Sequence, residues 1–154
     1  MARVLIYTSP ALGHLDPALG VAAALAALDQ QITVYCLADQ VHAVRAQGYQ
    51  AEALDPRIEA RIMDDFEAAN PVAAVKRAIT TFAERAPFEV DDLWRAIAGS
   101  QPDVLLIDTN AFGARMAAEA SGLPWACFQP FLSPLPAPGV PPFGPGLKPL
   151  PGLI

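Results

Sequence analysis

The run Val4-Leu5-Ile6-Tyr7-Thr8 restricts this chain more than any other feature. It is apolar without alternation, so both faces of the strand it forms must be covered. Such strands lie inside parallel sheets that carry helices on both sides. The loop Ser9-Pro10-Ala11-Leu12-Gly13-His14-Leu15-Asp16-Pro17 follows, and then a run of mostly small apolar residues over 18–28. Asp16 predicts an N-cap, and Pro17 suits the first helical position, where its missing N–H costs nothing. The alternation continues, with strands over 3–8, 32–37 and 49–54 and helices over 17–28 and 39–47, the second capped by Asp39 and stopped at Gly48. A β-α-β-α-β opening with right-handed crossovers predicts an α/β fold, a Rossmann-like doubly wound parallel sheet with helices on both faces.

The middle of the chain is less regular. Six acids and two arginines fall between Glu52 and Glu67, mixed with Ile58, Ile62, Met63 and Phe66, and predict a short helix or a loop. Asn70-Pro71 caps a helix expected to run to 85, Pro87 breaks it, and a second helix is expected over 89–98. Val72, Val75, Ile79, Phe82, Phe88, Leu93, Trp94 and Ile97 form an apolar stripe predicted to pack on the sheet. This excursion is also where a variable pocket wall belongs. A fourth strand over 104–107, a helix over 112–120 and a fifth strand over 125–128 follow. Ten of the 16 prolines lie from Pro124 onward, and Lys148 is the only charged side chain after Glu119. The chain therefore divides into a Rossmann-like domain over 1–129 and an apolar Pro/Gly-rich segment over 130–154.

Length and charge exclude several function classes. The 154 residues suffice for one domain with a core, and a net charge of −6 without a basic stripe argues against nucleic acid as partner. Cys36 and Cys127 each sit inside an expected buried strand and have no metal-ligand spacing, so they read as core thiols of a reducing compartment. No apolar run reaches the roughly 20 residues of a membrane span, and the N-terminal strand is broken too early for a signal peptide, which places the chain in the cytoplasm. There is no GxGxxG, no phosphate-binding GxxxxGK[ST] and no nucleophile elbow around Ser9 or Ser133. Asp64-Asp65 and Asp91-Asp92 read as solvated helical charge, and His42 as ordinary surface.

One constellation carries chemistry. With strand order 3-2-1-4-5, strands one and four are neighbours, and the crevice at their carboxyl ends is the expected ligand site. His14 follows strand one and Asp108 ends strand four. A carboxylate on one imidazole nitrogen fixes the tautomer and stabilises the cation formed when the other nitrogen takes a proton. The pair thus predicts a base for a hydroxyl or water. The plainer roles are a helix cap for Asp108 and a loop hydrogen bond for His14.

The residues also resemble a known family. Arg3-Val4-Leu5-Ile6 before Gly13-His14-Leu15-Asp16-Pro17 and an Ala-rich helix, with Gln47-Gly48-Tyr49 ahead of strand three, form one block. Pro102-Asp103-Val104-Leu105-Leu106-Ile107-Asp108, then Ala117-Ala118-Glu119 and Gly122-Leu123-Pro124, form another. Together they resemble the N-terminal, acceptor-binding domain of GT-B glycosyltransferases, in particular the inverting bacterial, UDP-glycosyltransferase-like family that decorates macrolides, polyketides and flavonoids. The resemblance implies His14 as general base toward an acceptor hydroxyl, Asp108 as its orienting partner, a nucleotide sugar as co-substrate, and no metal or other cofactor. Gly13, Phe66, Phe82, Asn110, Phe112, Phe128 and Phe131 are the candidate acceptor-binding residues. In that family the donor site is mostly on a C-terminal domain with an HCGxxS/T motif, and nothing in this sequence matches it. The implied function is an acceptor-binding half, inactive alone, working on a small, largely apolar molecule. The alternatives are a non-catalytic GT-B-like auxiliary protein that stabilises a full glycosyltransferase, with the proline-rich end as interface, and, more remotely, a sugar-nucleotide epimerase. A homo- or hetero-oligomer is compatible with either half-enzyme or auxiliary role.

Overall fold

A computed structural model of the chain describes residues 1–131. Five parallel strands form one sheet: β1 (Arg3–Tyr7), β2 (Gln31–Cys36), β3 (Gln50–Ala53), β4 (Val104–Asp108) and β5 (Trp125–Phe128). Their order is β3-β2-β1-β4-β5, the doubly wound arrangement expected from the sequence. β1 is central: Tyr7 is level with Tyr35 of β2 on one side and Ile107 of β4 on the other.

The unbroken apolar run of β1 is explained by two cores. Val4 and Ile6 pack with Ile32, Val34 and Cys36 under α1 (Leu12–Ala26) and α2 (Val41–Ala46). Leu5 and Tyr7 pack with Leu105 and Ile107 on the opposite face, under α4 (Pro71–Ser100) and α5 (Phe112–Ser121). A short α3 (Pro56–Glu59) precedes α4. Ala18 and Ala22 of α1 are fully buried, and their small side chains let the helix lie close on the sheet.

Four local expectations are corrected. α1 begins at Leu12, with extended Ala11 as N-cap, so Asp16 caps nothing and Pro17 lies inside the helix. Leu15, Ala18 and Ala22 form its buried stripe, and seating Leu15 on the sheet sets the start. Pro17 withholds a hydrogen bond only from the carbonyl of Gly13, which is exposed. α4 runs unbroken through Pro87, again because the carbonyl it frees, on Ala83, belongs to an exposed residue, while Arg85 and Glu89 on the other side are buried. Asn70 caps α4 as expected, its Oδ1 accepting the Ala73 N–H at 2.9 Å. Cys127 is exposed, because β5 is an edge strand, whereas Cys36 is buried and its thiol is pushed up to about 11. Asp92 is buried rather than solvated: it accepts the Tyr7 hydroxyl at 2.8 Å and ties β1 to α4.

The unbroken α4 matters for function. Thirty residues span about 45 Å, against about 17 Å for a five-residue strand. The helix must overhang the sheet. Leu93 and Ala96 in its second half pack on the strands, but Val72, Val75 and Ile79 in its first half are exposed and leave the predicted stripe unpacked. The segment expected over 130–154 lies outside the described residues apart from Pro130 and Phe131. Among the described residues no helix is long and apolar enough to cross a membrane.

Candidate functional site

The carboxyl ends of β1 and β4 bring together the two residues singled out above. After β1 the chain turns sharply, with the Ala11 N–H on the Ser9 carbonyl at 2.7 Å, and His14 falls in the first turn of α1. Asp108 is the last residue of β4, one beyond the Tyr7–Ile107 pairing. His14 Nδ1 lies 2.7 Å from Asp108 Oδ2. The Asp108 side chain is wholly shielded from solvent, and that of His14 is 16% exposed.

Both oxygens of Asp108 are committed, since Oδ1 accepts the Asn110 N–H at 2.8 Å. A carboxylate fixed in this way holds the imidazole with Nδ1 as donor and leaves Nε2 as the basic nitrogen. The plainer role expected for Asp108 is present as well: it organises the turn into α5 while it holds His14. The Phe131 ring stands edge-on to His14, at 5.7 Å and 64°.

His14 opens on a cleft of about 740 Å³. Ile62, Met63, Val75, Ile79, Phe82 and Phe131 provide its apolar walls, Ser9 and Asn110 flank the histidine, and Glu59, Asp65 and Arg85 supply charge. The overhanging half of α4 is thus one wall. A mostly apolar cavity with a few convergent polar groups is the usual form of a small-molecule site. Two other clefts, of about 590 and 550 Å³, lie at the β2–β3 edge and beside α5 and contain neither His14 nor Asp108.

Of the candidate acceptor residues, Phe82, Asn110 and Phe131 line this cleft. Gly13 precedes His14 but faces open solvent. Phe112 backs the wall from behind, its ring 4.9 Å from that of Phe82. Phe128 packs on the other face of the sheet, with Val4 and Ile6, because alternation along β5 turns it away. Phe66 is 78% exposed on a turn outside the cleft. Sequence reasoning missed Ile62, Met63, Val75 and Ile79 as walls. For Val75 and Ile79 the available signal was geometric: a helix not broken at Pro87 is too long for the sheet, so its leading apolar residues need another partner. Ile62 and Met63, ahead of that helix, carried no such signal.

The surroundings are charged and buried. Arg85 donates from Nε to the Arg61 carbonyl at 2.9 Å, and burial pushes its guanidinium down. Burial likewise pushes the Glu89 carboxyl up to about 7, against the opposing pull of the Gly113 N–H it accepts at 2.8 Å. Asp55 is held well below the usual carboxylate range, chiefly by the Arg57 guanidinium.

No family model and no curated protein matches the chain. Solved structures do. SnogD, a glycosyltransferase from Streptomyces nogalater, is similar at 25% identity and TM-score 0.64, over 86% of this chain and 33% of its own. SsfS6, a glycosyltransferase of Streptomyces sp. SF2575 complexed with thymidine diphosphate, is similar at 16% identity and TM-score 0.69, over 84% and 38%. The spinosyn rhamnosyltransferase SpnG complexed with spinosyn aglycone is similar at 20% identity and TM-score 0.63, over 93% and 37%. The chain has the fold of part of these glycosyltransferases, the class its two motif blocks resemble, and spans little more than a third of their length at most.

Proposed function

We propose that this chain is the acceptor-binding half of an inverting glycosyltransferase. The observation that carries the reading is the His14–Asp108 pair, 2.7 Å apart, at the edge of an apolar cleft. The acceptor is a small, largely apolar molecule bearing a hydroxyl, held between the leading half of α4 and Phe131. His14 Nε2 takes the hydroxyl proton as the oxygen attacks the anomeric carbon of a nucleotide sugar. The bond from that carbon to the diphosphate breaks on the opposite face, its electron pair leaves with the nucleoside diphosphate, and the configuration inverts. Asp108 stabilises the imidazolium so formed. Relatives of the same fold include one solved with a nucleoside diphosphate and one with an aglycone, which supports these two ligand kinds. The donor is held outside the 154 residues of this sequence, which contain no HCGxxS/T motif, and the chain alone does not turn over.

The test is calorimetric titration with a panel of hydroxylated macrolide and polycyclic aromatic aglycones, beside a transfer assay with nucleotide sugars. The expected result is aglycone binding, weakened by Ile79→Asp, with no transfer by the chain alone. Binding of no aglycone overturns the acceptor reading. Turnover by the chain alone that is lost in His14→Ala overturns the half-enzyme reading.

A further inference from the structure

The loop that carries Asp108 runs straight into α5, and its main-chain donors can be accounted for one by one. Thr109 donates to the Phe128 carbonyl, Asn110 to Asp108 Oδ1 and Ala111 to the Asp108 carbonyl. α5 has no side-chain cap of its own, since Ala111 stands at its N-cap. Gly113 and Ala114 are buried, so water does not serve their N–H groups either. One side chain does. Glu89, reaching across from α4, accepts the Gly113 N–H at 2.8 Å and faces the Ala114 N–H.

The two helices meet closely there, because a Cβ at Gly113 would lie 1.9 Å from the Ala86 carbonyl oxygen. Only glycine lets Glu89 reach the end of α5. The charged and titratable groups facing Glu89 are Arg85, one turn away on α4, Asp108 on β4 and Tyr7 on β1. None of these takes over the cap. Glu89 is not among the residues that line the cleft.

We propose that Glu89 is a positioning residue for the His14–Asp108 pair: by capping α5 from the neighbouring helix it fixes the 108–111 turn and so the aim of the Asp108 carboxylate. This rests on the reading of His14 as the base, but it is tested without turnover. The chain has two histidines, and His42 is exposed, which makes it an internal reference. Long-range proton–nitrogen spectra of the labelled chain report which ring nitrogen carries the proton.

The wild type is expected to show His14 protonated at Nδ1, with the deshielded proton of a carboxylate hydrogen bond, and His42 as a solvent-exchanging mixture of tautomers. Glu89→Gln keeps an oxygen for the Gly113 N–H and is expected to keep the His14 signature. Glu89→Ala is expected to lose it, so that His14 resembles His42. Where Glu89→Ala does not fold by circular dichroism, Glu89→Asp, whose carboxylate is withdrawn by one methylene, is expected to show the same loss. A folded Ala or Asp variant with the wild-type signature overturns the inference, as does a Gln variant that loses it as fully as Ala. A wild type without the signature removes the pair itself and the proposed function with it. A wild-type signature indifferent to Glu89 removes this inference alone.

Discussion

Gly113→Ala is the sharpest test of how the site is held. The added methyl carbon would start 1.9 Å from the Ala86 carbonyl oxygen and 2.7 Å from two further backbone atoms of that residue. Contacts below 3.0 Å are essentially never adopted, so the crossing of α4 and α5 must open by more than 1 Å, the difference between 3.0 and 1.9 Å. No rotamer change relieves a clash between a Cβ and main chain. The cost belongs at the upper end of overpacking, about 3 kcal/mol. Opening the crossing also stretches the Glu89 bond to the Gly113 N–H, worth roughly 1–2 kcal/mol for a buried acceptor of this kind. Against this, alanine gains at most about 1 kcal/mol of helix propensity.

The net expectation is a loss of about 3 kcal/mol. With a urea m-value of about 2 kcal/mol/M, the midpoint falls by about 1.5 M at unchanged slope. Gly20→Ala is the control. Its Cβ meets nothing within 4 Å, and it lies in the interior of α1, so the same change there should raise stability by about 0.5–1 kcal/mol. Equal shifts in the two variants, or a Gly113→Ala midpoint at or above wild type, would refute the packing argument.

Three further outcomes are expected. The folded chain holds a proton on Glu89 between its ordinary 4.5 and about 7, where the unfolded chain has released it, so this group's stabilisation is present below 4.5 and lost as pH rises through 7. Urea midpoints should fall from pH 5 to pH 8 by an amount equivalent to roughly 2.5 kcal/mol for this group, and Glu89→Gln should flatten that slope; an unchanged slope would show that Glu89 titrates normally. Asp55 acts with the opposite sign: its carboxyl is depressed by Arg57, so its stabilisation is lost as pH falls below the ordinary Asp range, and Arg57→Ala should reduce the acid sensitivity seen by circular dichroism. Phe82→Ala should weaken aglycone binding about tenfold in calorimetry, through roughly 1.4 kcal/mol of lost apolar contact, whereas Phe128→Ala on the far face should leave affinity unchanged; equal losses would place the acceptor elsewhere.

What the sequence displays well and what it hides follow from the range of the forces involved. β1, β2, β4 and β5 were legible because each is a short, largely apolar run that a core needs, whereas β3, Gln50-Ala51-Glu52-Ala53 with only Ala51 buried, was legible from its place in the strand–helix alternation. The meeting of His14 and Asp108, 94 positions apart, was legible because topology alone fixes it: one residue ends β4 and the other follows β1. Helix starts were less legible, because a local cap competes with burial. Asp16 and Pro17 make a good N-terminus in isolation, but the gain from seating Leu15 exceeds the roughly 1 kcal/mol of a cap. Pro87 misled for the same reason. A proline inside a helix costs about 3 kcal/mol, and here the burial of Arg85, Glu89 and Leu93 on the other side of α4 outweighs it while the freed carbonyl, on exposed Ala83, is left to water. That misreading hid Val75 and Ile79 as wall residues, although the excursion itself was read as the place of a pocket wall. Two shorter helices would each have matched the sheet, and only one long helix leaves Val75 and Ile79 standing beyond it, beside the histidine, with nothing but the cleft to face.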